Sequence, residues 1–356
     1  MTNPNVLPIF DGHNDSLLSF YERERGADVT FFDRSEKGHI DLPRAREGGF
    51  GGGFFAVWVP PDPALPKPSQ SDLPSTGSYV VPLPEPVELG YAQRTALAMA
   101  AGLFRIEAAS DGQVKVVRTA DELAACLRDG VLAAILHFEG AEAIDPELSA
   151  LEVLYQAGLR SLGPVWSRPN AFAHGVPFQF PHSPDTGPGL TDAGRDLVRA
   201  CNRLGIMIDL SHINEQGFWD VAELTDAPLV ATHSNAHSLC PTTRNLTDKQ
   251  LDAIKETDGM VGLNFAVSFL REDGKSDANT PIETMVRHID YLVERLGIDR
   301  VGLGSDFDGA KIPQEIGDVA GLPKLVDALR ARGYDDAALR KIAHENWVRV
   351  LRKTWK

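Results

Sequence analysis

Positive charge is in short supply. Thirty-five lysines and arginines stand against 50 aspartates and glutamates, a formal net charge of −15 at pH 7. A nucleic-acid partner needs a basic face, so none is expected. Cysteine is scarcer still: Cys126, Cys201 and Cys240 are odd in number and far apart. That excludes a disulfide scaffold and fits a reducing compartment. No apolar run approaches the roughly 18 residues of a membrane span, so no membrane partner is expected. The opening MTNPNVLPIFDGHND carries neither a basic segment nor an apolar signal core. The closing VRVLRKTWK is too polar for a lipid-anchor tail, and a cytoplasmic location is the expectation. The glycine-rich GGFGGGFF lacks the Gly-Lys-Ser/Thr ending of a phosphate loop and opens a strand rather than a helix.

What is present is an ordinary globular mixture, 43% apolar and 24% charged over 356 residues. A chain of that length buries a large core without staples. Short β-branched apolar runs recur at 6–10, 52–59, 131–138, 159–166, 205–211, 228–234, 259–266 and 300–306. Helical patterns separate most of them, at 91–109, 121–129, 191–205 and 281–297. Asp121 and Thr191 suit helix N-caps, and Gly205 and Gly297 suit helix ends. Eight strand–helix units in about 300 residues predict an α/β fold of the (β/α)8 TIM-type barrel kind, with 1–356 as a single domain. Residues 60–86 break the rhythm with nine prolines and read as an ordered or semi-ordered insertion after the second strand.

Chemistry-bearing residues collect at the strand ends. The first strand runs into Asp11-Gly12-His13-Asn14-Asp15, where His13 and Asp15 fall on one face of an extended chain. Other strands end in His137-Phe138-Glu139, Asp209-Leu210-Ser211-His212, Thr232-His233 and Ser305-Asp306-Phe307-Asp308. The C-terminal ends of barrel strands are where catalytic groups sit. Three histidines with carboxylates make a donor set for Zn²⁺ or another borderline divalent ion. They exceed one four-coordinate site, and a shared carboxylate between two ions would use them all. His39-Ile40-Asp41 repeats the His-x-Asp spacing but precedes its strand, and reads as a turn. His137 reads as a packed barrel-interior histidine, and His182, His288 and His344 as surface or helix residues.

The motifs FDGHND, HFEG, GIMIDLSH, ATHSNAH, TTRN and GLGSDFDG, spanning residues 10 to 309, resemble the membrane dipeptidase (renal dipeptidase) family of the amidohydrolase superfamily. The resemblance implies a (β/α)8 barrel, two Zn²⁺ per chain and a homodimer. It implies that His13, Asp15 and Glu139 hold one ion, and that Glu139, His212 and His233 hold the other. It makes Asp306 the proton-handling carboxylate, and Arg244, eleven residues after His233, the contact for the substrate's terminal carboxylate. The expected reaction is hydrolysis of dipeptides, L-Xaa-D-Xaa among them, by a hydroxide shared between the ions. Three carboxylates and that hydroxide neutralise two divalent cations, which leaves Arg244 as a net positive charge for an anionic substrate end.

One position departs from the family. Animal members carry a substrate-contacting histidine after the fourth strand, where this chain has Trp166. Tryptophan offers one N–H donor and no acceptor, so Trp166 is expected to shape specificity. Asn170 and His174 lie just beyond it. Two other readings stay open: the same fold hydrolysing another amide or ester, such as an N-acyl amino acid or a lactone, and a non-catalytic metal-binding scaffold.

Overall fold

The computed structural model describes residues 7–22, 29–64 and 77–356. Its eleven strands are β1 (Ile9–Asn14), β2 (Phe50–Val57), β3 (Tyr79–Val81), β4 (Val114–Val116), β5 (Leu132–Glu139), β6 (Leu159–Gly163), β7 (Phe178–Phe180), β8 (Met207–Ile208), β9 (Val230–Ala231), β10 (Met260–Leu263) and β11 (Val301–Leu303). Eight of them hydrogen-bond in parallel in the order β8-β6-β5-β2-β1-β11-β10-β9. The ring is nearly closed between β8 and β9, where Asp209 bridges Val230 and the Leu210 N–H donates to Val230 O at 2.8 Å. This is the predicted (β/α)8 barrel, and each of the eight anticipated runs supplies one barrel strand.

The chain alternates because two surfaces must be buried at once. On β5, Leu132, Ala134, Leu136 and Phe138 pack outward against the helices, whereas Ala133 and Ile135 point into the barrel. The lower interior is apolar: Phe10, Phe54, Ile135, Met207, Val230 and Met260 meet Trp347 from the C-terminal helix Asn346–Thr354. Trp347 is fully buried and donates Nε1–H to Leu303 O at 3.2 Å, plugging that end. The opposite, C-terminal end of the strands is left for polar groups.

Helix ends follow local chemistry. Thr191 caps Asp192–Leu204 by accepting the Gly194 N–H, and Gly205 ends that helix at φ 74°. The cap of Ala120–Asp129 is Thr119, which accepts the Glu122 N–H; Asp121 lies inside the first turn rather than at the cap. Asp41 caps Leu42–Glu47, so the His39-Ile40-Asp41 sequence is a turn into a helix, as expected. Of the proline-rich stretch, 65–76 lies outside the described residues. Its later part forms β3, which pairs antiparallel with β7 in a small ribbon beside the barrel mouth. The ribbon was not anticipated.

Candidate metal centre

Five side chains converge at the barrel mouth. His13 is the next-to-last residue of β1, and Asp15 is the N-cap position of helix Ser16–Tyr21. The β1 ladder slips between Asp11 and Asn14, so simple alternation is not what aligns the two. They meet nonetheless, with His13 Nε2 3.3 Å from Asp15 Oδ2. Glu139 closes β5 and lies at the centre of the group. Its Oε2 is 3.7 Å from His13 Nε2, and its Oε1 is 3.0 Å from His212 Nε2 and 3.5 Å from His233 Nε2. His13, Asp15 and Glu139 could hold one cation, and Glu139, His212 and His233 another; a third group, His13, Asp209 and His233, lies beneath them, with Asp209 Oδ2 3.9 Å from His233 Nδ1.

The donor chemistry fits a cation. His212 Nε2 and His233 Nε2 lie 3.1 Å apart, both facing Glu139 Oε1. Their other ring nitrogens are occupied: His212 Nδ1 by Ser167 Oγ and His233 Nδ1 by Thr232 Oγ1, each at 2.8 Å. With those Nδ1 atoms protonated, two nitrogen lone pairs and a carboxylate oxygen point into one space. A metal ion satisfies all three at once.

Electrostatics say the same. Burial disfavours protonated His13, yet Glu139 and Asp15 outweigh it and raise His13 to about 10. Burial, helped by Asp15 and Asp306, holds Glu139 well above the ordinary carboxylate range against the pull of His13. Burial also raises Asp15. His212 and His233 are pushed well down by burial and by the charges of Arg244 and His13, so both rings are neutral donors.

Asp306 lies beside this group in the turn after β11. Its Oδ2 accepts from Asn264 Nδ2 at 2.9 Å. A Cβ on Gly309 would fall 2.1 Å from Asp15 Oδ2 and 2.5 Å from Asp306 Oδ1, so only glycine lets both carboxylates approach here. His212 (φ 68°) and Asp306 (φ 60°) are both left-handed. Aspartate and histidine tolerate that region better than most residues, at a cost of about 1–3 kcal/mol. Strain at two site side chains fits a turn geometry held for function.

Arg244 is buried, and its Nη2 donates to His233 O at 3.2 Å. Its Nε has no hydrogen-bond partner among the described residues. Burial lowers Arg244 to about 10, while Asp306, Glu139 and Asp209 pull the other way, so it remains a cation at neutral pH. Thr242 and Thr243 tie its loop to β7 through Gln179 O. Trp166 leans over His212, ring centroids 5.7 Å apart, and meets Trp58 and Phe178 edge-on.

Other candidates fall elsewhere. Asn170 binds its own loop, donating to Pro164 O and accepting from Phe172 and Ala173, and His174 is half-buried there. Asp308 accepts from Ser16 Oγ and the His39 N–H, which makes it a loop brace. On the loop after β9, His237 Nε2 meets His182 O at 3.0 Å. His288 is a helix residue, as expected, on the buried face of Ile282–Leu296. It is buried, accepts from the Ala236 N–H and meets Leu270 O, so it steadies the loop after β9. Asn264, just after β10, is uncharged, and its contact with Asp306 joins residues 42 apart, so no local signal marks it. The fully buried Arg168–Glu142 pair, at 3.0 Å, was missed because nothing local links residues 26 apart.

A family model, "Membrane dipeptidase (Peptidase family M19)", matches residues 5–356. A crystal structure of a metallo peptidase from Rhodobacter sphaeroides, liganded with a phosphinate mimic of the dipeptide L-Ala-D-Ala, is 54% identical. It superposes with a TM-score of 0.93, covering 99% of this chain and 100% of that one. A second crystal structure, of a dipeptidase described as a metallo peptidase of family M19, is 55% identical with a TM-score of 0.93 and covers 99% of each chain. An uncharacterized protein in the pqqA 5′ region of Klebsiella pneumoniae is 53% identical over 71% of this chain and 93% of its own. With the donor cluster at the barrel mouth, the whole-chain match means that this chain belongs to the membrane dipeptidase family, the metallopeptidases of family M19.

Proposed function

We propose that this chain is a two-zinc dipeptidase that cleaves L-Xaa-D-Xaa dipeptides. One observation carries the proposal: four donor side chains close around Glu139, which two of the donor triads share. His13, Asp15 and Glu139 would hold the first ion, and Glu139, His212 and His233 the second. Zn²⁺ suits imidazole and carboxylate donors, although other divalent ions share that chemistry. When bound, the metal lowers the pKa of a water and polarises the scissile carbonyl. Asp306 takes the proton from the attacking water and passes it to the leaving amine. Asn264 holds Oδ2 of Asp306 in place and leaves Oδ1 on the Asp15 side, beside Gly309. Arg244 binds the terminal carboxylate and orients the peptide bond. The D-residue preference rests on the mimic held by the Rhodobacter relative. The proposal includes a homodimer, one catalytic domain over the whole chain and a cytoplasmic location. Three free, buried cysteines suit a reducing compartment, and among the described residues no helix is long and apolar enough to cross a membrane.

The test is a dipeptide panel with L and D residues at each position, run beside N-acyl amino acids and lactones. Hydrolysis of L-Xaa-D-Xaa dipeptides above all other classes is the expected result. A preference for acyl amino acids or lactones would transfer the site to a different hydrolysis.

Arg244→Ala separates binding from packing. For free-carboxylate dipeptides KM should rise by about 10- to 150-fold, the worth of a charge-assisted contact of about 1.5–3 kcal/mol. Amidated dipeptides should lose much less. Equal losses on both would mean that Arg244 serves only to brace His233 O.

Trp166→Phe removes the N–H and keeps most of the bulk against His212. The order of preferred dipeptides should hold, with kcat reduced less than about tenfold. A hundredfold fall in kcat at unchanged KM and metal content would make the N–H an oxyanion donor instead.

A further inference from the structure

Beneath the metal-facing side chains the barrel carries a second polar layer. In most barrels of this kind the interior layers are branched aliphatics. Here β5 turns His137 inward, between Ile135 below and Glu139 above. Ser161 on β6 pairs with it in register, and Asp209 and Thr232 follow β8 and β9 directly. All four are buried. Asp209 is the hub. Its Oδ1 accepts the backbone N–H groups of Ser211 (3.0 Å) and Thr232 (2.9 Å), and its Oδ2 lies 2.5 Å from Thr232 Oγ1. A carboxylate held by two backbone donors is an acceptor, so the Thr232 hydroxyl must donate to it. The hydroxyl oxygen then has only lone pairs left for His233 Nδ1, 2.8 Å away. His233 must therefore carry its proton on Nδ1 and direct the Nε2 lone pair at Glu139 and the cation.

We propose that Asp209 and Thr232 are positioning residues: the pair fixes the tautomer and direction of the His233 ring through an Asp209–Thr232–His233 relay. The proposal rests on His233 being a metal ligand. Asp209 does not reach the ring itself, since Oδ2 is 3.9 Å from His233 Nδ1, beyond hydrogen-bond range. The relay singles out one ligand. His13 Nδ1 is buried with no hydrogen-bond partner among the described residues, and its ring lies tilted by 31° against His233 (centroids 3.8 Å) and edge-on to His137 (5.5 Å). Disturbing the relay should therefore weaken the ion bound by His233 and spare the one bound by His13 and Asp15.

The test is a titration of metal-free protein with Zn²⁺ against a competing chelator, with thermal unfolding of the metal-free form alongside. Thr232→Val deletes the hydroxyl at nearly constant shape. It should weaken one of the two ions by about 10- to 100-fold, the usual effect of losing a partner behind a ligand. Thr232→Ser should restore the affinity. Asp209→Asn puts an N–H donor where the acceptor stood, reverses the hydroxyl and favours the wrong tautomer. It should cost as much as Thr232→Val, and the double variant should be no worse than either single one. A purely structural role would lower the unfolding temperature and leave both affinities alone. If Thr232→Val binds both ions like the wild type, the relay is wrong even where the wild type takes up two. If the wild type takes up none, this proposal and the metal-centre reading fall together.

Discussion

Glu139→Gln should lose both metal ions, and with them more than a thousandfold in kcat/KM, which corresponds to about 4 kcal/mol. Of the five proposed ligands, Glu139 is the one that would serve both ions, with one oxygen near His13 and the other near His212 and His233. Glutamine keeps the length and one oxygen, but it places an N–H₂ donor where a lone pair is needed. Whichever way the amide turns, one ion meets the wrong group. Asp15→Asn is the control, because Asp15 belongs to only one triad; it should lose one ion and keep the other. Metal analysis of the two purified variants reads the difference. Equal retention in both would remove Glu139 from the bridging position.

Asp306→Asn should keep its metal and lose catalysis. Asparagine is chosen because position 306 has φ 60°, a region that Asn enters about as readily as Asp. Its amide oxygen can still accept from Asn264. What disappears is the capacity to take up a proton. A positioned general base or acid contributes about 10²–10⁴-fold, so kcat should fall by that factor with KM and metal content near those of the wild type. A kcat within threefold of the wild type would transfer proton handling elsewhere.

Much of this site was legible because each strand carries its chemistry at its own end. His13, Glu139, His212, His233 and Asp306 each follow an apolar run, and the barrel brings those ends together wherever the intervening helices lie. The alternation on β5 was also readable: Ala133, Ile135, His137 and Glu139 share one face. Contacts between distant segments were harder to see. Trp347 fills the barrel floor from the last helix. The β3–β7 ribbon joins the proline-rich insertion to a loop about 100 residues later, through backbone bonds that no side-chain pattern announces. Thr119 takes the cap expected at Asp121 because the helix begins two residues earlier than a cap at Asp121 would allow. Asp209 stood in plain sight at a strand end. Its role depends on Thr232, a neighbour only once β8 and β9 come side by side.

In the proposed mechanism, dipeptide hydrolysis requires two metal ions at the barrel mouth. The most direct measurement counts metal per chain in purified protein and follows L-Ala-D-Ala hydrolysis while the metal is stripped and restored. About two ions per chain are expected. Activity should vanish on chelation and return as the second equivalent of Zn²⁺ is added. Full activity in metal-stripped protein would contradict the account.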